Sequence, residues 1–466
     1  MPANGAPVRS SKPSKPVKIP LRTTFRALRG DPLATLLDIA RTADGKLVRL
    51  DLGLARPYLV TDPEHVQHVL RDHATDYVRE GMFWKPLRRL FGTGILVDGP
   101  QWEHSRARLT PMFSGRTIDS LIDEMAGTIR SAVDELDSRL SASDGVDAAD
   151  AMAAIVQRLV GAVFFGDRIT RQQIARLIPA IDIAGTAVSA RLLLPSVPHF
   201  VPLPGDRAFR RSVATIDEVM DPLVRRTRAE GGAATDIAAT LCRATDDKGR
   251  PLSNAQIRDD VVSMFAAGTE TTATALVWFF VAVGCRPDVA KRLRAEVERV
   301  VGDNEITAAH LSQLKYLKMV LQELVRLYPV GWLIPRTAAR DDVIGGRRVP
   351  AGSTMLISPY LTHRLPRYWA RPDEFDPHRF GPDAPGNRHR YAYFPFGGGP
   401  HACLGSHLFT VEAQLIIATL LRRYQVEVPN ASRVTPMPAA SLRPREHVRL
   451  VMRPLSRPSG MAARAA

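Results

Sequence analysis

Between Val261 and Cys285 the chain carries a long, almost uncharged run, VVSMFAAGTETTATALVWFFVAVGC, and any fold has to find a place for it. By length and hydropathy it would span a bilayer. Its middle points elsewhere. Gly268 weakens a helix, and Thr269, Glu270, Thr271 and Thr272 carry polar groups that hydrocarbon would leave without partners. The run therefore predicts a helix buried at the centre of a large soluble protein. At 466 residues, 45% apolar and 24% charged, the chain is long enough and ordinary enough to build the surrounding body. The threonines have a plain reading, bonding back to carbonyls one turn earlier, and a functional one, since such groups are expensive in that place.

A second unusual stretch is FGGGPHACLG, Phe396 to Gly405. Three glycines, a proline and a further glycine around Cys403 allow tight turns and close approach to a bulky group. An apolar helical pattern then runs from near Leu404 through Leu408, Val411, Leu415 and Leu420 to about Tyr424. Cys403 is thereby placed at a helix N-terminus, where the dipole and unpaired N–H groups favour the thiolate that a soft metal takes as ligand. Three other readings stand beside this one: a small buried hydrophobe, a zinc ligand with His401 and His407, or a nucleophile. The zinc reading lacks a second cysteine or a CxxC, and the nucleophile lacks a specified base. Cys242, Cys285 and Cys403 are too far apart in sequence to suggest a disulfide framework, which fits a reducing cytoplasm.

At Phe396, Gly399, His401, Cys403 and Gly405 the loop resembles the haem-binding loop of the cytochrome P450 superfamily, F-x-x-G-x-R/H-x-C-x-G. Three more strings follow the family's order and approximate spacing. Ala267, Gly268, Glu270, Thr271 and Thr272 resemble its oxygen-binding helix. The resemblance implies that Gly268 leaves room for dioxygen, Thr271 holds water or the bound oxygen, and Glu270 relays protons. Glu323 and Arg326, three apart in QELVRLYP and opposite Leu314, Leu317, Leu321 and Leu324, read by spacing alone as an exposed pair worth a few tenths of a kcal/mol. The resemblance makes them, with Arg379 of PHRF, a buried triad under the haem loop. Trp102 and Arg106 resemble the family's W-x-x-x-R. Together with Arg336 and His401 they are implied to hold the two haem propionates, which need donors and positive charge.

The resemblance extends from about residue 30 to 455. It implies a mainly α fold with small β-sheets, residues 31–466 forming one haem domain, and haem b with the Cys403 thiolate on its iron. The implied activity is a monooxygenase inserting one oxygen atom from O2 into a hydrophobic small molecule of terpenoid, fatty-acid or polyketide type. A peroxide-using haem-thiolate enzyme and a non-enzymatic haem-binding sensor are the rivals, and neither explains the Glu270–Thr271 pair as well. No flavin or iron–sulfur signature is left over, so a separate ferredoxin and its reductase are expected to supply electrons. Phe83, Trp84, Trp332, Leu333 and Ile334 are candidate pocket residues, all apolar.

Net charge is +15. Part of it lies in residues 1–30, where Arg9, Lys12, Lys15, Lys18, Arg22, Arg26 and Arg29 precede the first acid, Asp31, among prolines and serines. This stretch is expected to be a disordered arm, without a signal peptide or anchor. Neither nucleic acid nor stable membrane insertion is expected. An acidic ferredoxin-type partner meeting Arg108, Lys315 and Lys318 is the reading given to the remaining charge, and the cytoplasm is the expected location.

The intervening pattern predicts a helix from Asp31 to Ala40, then a small antiparallel sheet from LVRLDLG and PYLVTDP. A helix from Pro63 to Arg71 and a loop to Gly99 follow. Helices are expected through Gln256–Cys285, Asp288–Val301 and Leu311–Tyr328, and strands at Ile344–Val349 and Thr354–Ile357. The proline-rich Leu192 to Gly205 cannot be a continuous helix.

Overall fold

The computed structural model describes residues 17–19, 30–53, 55–81, 83–99, 101–140, 145–193, 201, 203–231, 236–246, 248–384 and 386–455. Helices dominate and the sheets are small, as expected. The chain divides into two compact units, each gathered from several segments. Met1–Gly81, Leu333–Pro372 and Arg388–Ala402 form the first, and Met82–Trp332, Asp373–Asn387 and Cys403–Ala466 the second.

The first unit is built on a six-stranded sheet in the order Val17–Ile19, Val48–Leu50, Tyr58–Val60, Thr354–Ile357, Ile334–Ala338, Tyr77–Val78. The predicted antiparallel pair is present. It is one corner of a larger mixed sheet, because Tyr58–Val60 also pairs in parallel with Thr354–Ile357, whose distance in sequence leaves no local mark. Val17–Ile19 corrects the expectation for the arm: this short stretch pairs in parallel with Val48–Leu50, and Ile19 O accepts from Asp51 N. Two β-branched residues and an open sheet edge outweigh the charged surroundings there. The rest of the arm, apart from Gly30, lies outside the described residues.

Asp62 caps the helix Pro63–Gln67 through Glu64 N at 2.9 Å, and Pro63 takes its first position, as the sequence predicts. The chain then widens into a π turn, His68–Asp72. Gly399 packs so closely on that turn that a Cβ would collide with the Leu70 carbonyl, and its φ of +65° is itself a glycine conformation. The single strand expected at Ile344–Val349 is a hairpin, Asp342–Ile344 with Arg347–Val349, turning through Gly345 and Gly346 at φ +53° and +72°.

The second unit surrounds the helix Asn254–Gly284, opened by a reciprocal Ser253–Gln256 capping box. Ile257, Val261, Phe265, Trp278 and Phe279 on it are wholly buried. Among the described residues it is one of three helices long and apolar enough to cross a membrane, and 67% of its most apolar window is covered by protein. Its first turns also hold the chain that leads to Trp102. Arg258 Nη1 donates to Leu90 O, Asp259 accepts from Thr93 N, and Asp260 accepts from Ile95 N and Ser105 Oγ at 2.9 and 2.7 Å. The loop expected before Gly99 contains a helix, Lys85–Phe91, too short and too basic to show periodicity. The helix Arg171–Leu193 enters the proline-rich segment, most of which lies outside the described residues.

The expected Leu311–Tyr328 helix breaks in two, and the longer part, Lys315–Leu327, has Leu314 where a capping side chain would stand. Glu296, from the helix Pro287–Val300, does the capping instead, accepting from Tyr316 N at 2.7 Å and Leu317 N at 2.8 Å. On this helix Glu323 and Arg326 are not an exposed pair: both are fully buried. Arg326 forks onto Glu323 at 2.6 and 2.8 Å, Arg379 Nε reaches it at 3.3 Å, and Asp376 N donates at 2.8 Å. Arg326 also donates to Glu374 O. Spacing misled here because the segment 373–387 covers the polar side of the helix.

Glu323→Gln should therefore leave two buried guanidinium groups without a counter-charge and destabilise the protein by about 3–5 kcal/mol. Urea unfolding followed by circular dichroism measures it; a loss under 1 kcal/mol would contradict the described network.

Candidate active site

Cys403 follows a 3-10 turn, Gly399–His401, and precedes the helix Ser406–Arg423, whose N-cap is Gly405. Its side chain is accessible, yet the surrounding protein displaces bulk water and burial pushes the thiol up. The Gly405 N–H and the Arg106 charge pull in the opposite direction without prevailing. Burial is the largest of these effects.

Arg106 and Trp102 lie one turn apart on the helix Trp102–Leu109, both half-buried, and Ser105 between them ties that helix to Asp260. Burial lowers Arg106 and the charge at Cys403 raises it.

Between Val261 and Val283 only Ala267 and Thr271 are exposed. One turn apart, they form a small open face on an otherwise packed helix. Thr271 Oγ1 donates to Ala267 O at 2.5 Å. Gly268 is not the source of that opening: a Cβ there would meet Val160 and Phe164 at ordinary distances of 3.7–3.9 Å, on the side of the helix Ala148–Phe165. Thr269 has the plain role, bonding back to Phe265 O at 2.9 Å.

Glu270 points to neither face. Its Oε1 accepts from Ser441 Oγ at 2.5 Å and Arg443 Nη2 at 2.6 Å, both on the hairpin Pro436–Pro438/Leu442–Pro444, which no local signal connects with the helix. Thr272 turns inward and donates to Glu412 Oε2 at 3.3 Å. Glu412 is almost wholly buried in the helix Ser406–Arg423, its Oε1 has no hydrogen-bond partner, and burial pushes its carboxyl up to about 8. Sequence reading missed it; a lone carboxylate inside the apolar string VEAQLII was the available signal.

In the first unit, Arg336 is a buried cation on Ile334–Ala338, donating to Pro335 O at 2.8 Å, while His401, Phe396, Leu333 and Ile334 are half-buried. In the second, Phe83 and Trp84 are half-buried before the helix Lys85–Phe91, and Trp332 Nε1 donates to Ala439 O.

Among the described residues no three His, Cys, Asp or Glu side chains gather to hold a metal ion. Cys403 therefore offers a lone sulfur, which fits an iron whose other ligands come from a porphyrin and does not fit a structural zinc.

The cytochrome P450 family model matches residues 13–452, and the chain belongs to that family. It is 31% identical over 447 residues to cyclooctat-9-en-7-ol 5-monooxygenase of Streptomyces melanosporofaciens, with 94% of each chain covered. Pentalenene oxygenase of Streptomyces avermitilis is 26% identical over 401 residues, covering 86% of this chain and 88% of that one. The crystal structure of the cytochrome P450DA heme domain shares the fold with a TM-score of 0.84 at 24% identity, covering 96% of this chain and 99% of its own. The protein is accordingly a cytochrome P450 monooxygenase whose cofactor is haem iron with a cysteine thiolate ligand.

Glu412 supplies a pH test. The native carboxyl holds its proton from about 4.5, the ordinary value, up to about 8, while the unfolded chain has released it. The native state then binds more protons, so its stability falls as pH rises through that window. Glu412→Gln should remove this slope, gaining on the wild type by up to about 1.4 kcal/mol per pH unit in chemical denaturation. Parallel curves would place the proton elsewhere.

Proposed function

We propose that this monooxygenase acts on a terpenoid hydrocarbon or alcohol, with Cys403 as the thiolate ligand of its haem. The observation that carries the reading is the Ala267–Thr271 opening, a hydroxyl presented on the exposed face in the middle of a largely buried helix. The compounds in the names of two relatives, cyclooctat-9-en-7-ol and pentalenene, support the substrate class. So do the apolar pocket candidates Phe83, Trp84, Trp332, Leu333 and Ile334.

When bound, the haem supplies the activation of O2 with two electrons and two protons, one oxygen atom going to the substrate and the other leaving as water. Trp102, Arg106, Arg336 and His401 would hold its propionates with donors and positive charge. Phe396, Gly405 and Ala267 would shape the walls beside it, with Gly268 giving the same turn of helix its backbone. Thr271 gives its own hydrogen to the Ala267 carbonyl, which leaves its oxygen lone pairs free to accept from a water and hold a proton in place. Glu270 relays protons from solvent. The apolar side chains orient the substrate and exclude water from the rest of the site.

Electrons come from a separate ferredoxin and ferredoxin reductase. Lys315 and Lys318, both exposed, suit an acidic partner better than Arg108, which is half-buried and donates to Thr245 O. Residues 31–466 work as one haem domain, soluble in the cytoplasm.

With 18O2, a ferredoxin system and cyclooctat-9-en-7-ol or pentalenene as probes, one labelled oxygen should enter each product molecule. Thr271→Ala should keep the substrate-induced haem spectral shift while sending most electrons to hydrogen peroxide. Unlabelled product, or a variant with unchanged product per electron, would overturn the reading.

A further inference from the structure

The arrangement at Glu270 goes beyond what a solvent-facing proton relay requires. Its Oε1 gathers three donors from one hairpin: Ser441 Oγ, Arg443 Nη2 and, at 3.2 Å, Arg443 Nε. Arg443 Nε also donates to Ser441 Oγ at 3.1 Å, so the three side chains close a ring. Glu270 and Arg443 keep 37% and 47% of their side chains exposed. Water competes for such a pair, and it opens easily.

The hairpin is much more firmly held than the ion pair at its tip. Leu442 N donates to Val330 O at 2.9 Å, and Trp278 Nε1, from the central helix two turns beyond Glu270, donates to Leu442 O at 2.8 Å. Trp332 Nε1 donates to Ala439 O at 2.8 Å. Trp332 is a pocket candidate, so one hairpin joins a residue expected to touch substrate to the residue that grips the acid.

A third element adds a second carboxylate. Asp182, from the helix Arg171–Leu193, is raised first by burial and then by the charge of Glu270, and lowered by Arg443. Asp182 thus feels the charges of both Glu270 and Arg443, and Arg443 bonds Glu270 directly.

We propose that Arg443, with Ser441, is a positioning residue for the monooxygenase reaction: it holds Glu270 on the hairpin and couples the acid's release to Trp332. The inference rests on the reading of Glu270 as the proton-relaying acid. A ligand pressing on Trp332 moves Ala439 and the hairpin with it, and the weak ring at Glu270 is the first contact to give. Arg443 also lowers the Asp182 carboxyl against the charge of Glu270, so its loss changes both where Glu270 is held and how readily Asp182 takes up a proton.

The test uses the holoprotein as wild type, Arg443→Gln, Arg443→Lys and Trp332→Phe. Hydrogen–deuterium exchange over residues 436–444 reads the latch without catalysis. Arg443→Gln and Trp332→Phe should raise exchange several-fold, and Arg443→Lys should not. The second readout is hydrogen peroxide formed per electron, against pH, in substrate-free protein reduced through a ferredoxin system. Arg443→Gln should move that profile upward, because the cation that opposes protonation of Asp182 is gone. Arg443→Lys should restore it. A profile for Arg443→Gln that superimposes on wild type, whatever the exchange, would reduce Arg443 to a structural clamp and overturn the proposal. So would an unchanged exchange pattern in Trp332→Phe. Failure of the monooxygenase reading would show separately, as a wild-type protein lacking the carbon monoxide spectrum of a thiolate-bound haem.

Discussion

A 31-residue helix packed on nearly every side can present chemistry only where its packing is interrupted, and between Val261 and Val283 of the helix Asn254–Gly284 the exposed residues are Ala267 and Thr271. Successive helical residues point about 100° apart, so the four polar residues 269–272 radiate in four directions. Thr269 bonds back into its own helix, Glu270 reaches the hairpin, Thr271 looks onto the open face, and Thr272 meets Glu412 in the core. One turn of helix therefore joins structure, solvent and candidate site. The cost of burying those groups is offset separately for each by a partner of its own.

The same division explains how the neighbouring elements are held. Asp259 and Asp260, at the start of the helix, bind the loop before Trp102, and Ser105 locks the Trp102 helix to Asp260. Asp260 is itself pushed up to about 6 by burial, which the hydrogen bonds from Ser105 and Ile95 partly counter. Two acids, Asp260 and Glu412, are thus buried on or against the central helix, and each stays tolerable by hydrogen bonding or by keeping its proton. The Glu323 network follows another course, with two guanidinium groups brought to one carboxyl group.

Much of this was legible in the sequence where the signal is local. The central and final helices, the Asp62–Pro63 helix start and the strand Thr354–Ile357 follow from periodicity and capping chemistry. What escaped depends on partners far along the chain. The sheet around Tyr58–Val60 needs residues 334–357, the helix at Lys315 is capped by Glu296, and Glu323 is buried by residues 373–387. At the candidate site, Cys403, Arg106 and Thr271 are singled out by motifs, whereas Ser441, Arg443 and Glu412 show only through contacts more than a hundred residues apart in sequence. Gly268 shows the limit of a motif, since the string marks the right turn of helix but not which residue opens it.

The proposed role of Cys403 as the thiolate ligand of the haem is tested most directly by the absorption of the reduced protein under carbon monoxide. Thiolate ligation would give a strongly red-shifted band, which the wild type should show and Cys403→His should lose while still retaining haem. A wild type without the band, or a Cys403→His variant that keeps it, would contradict the assignment.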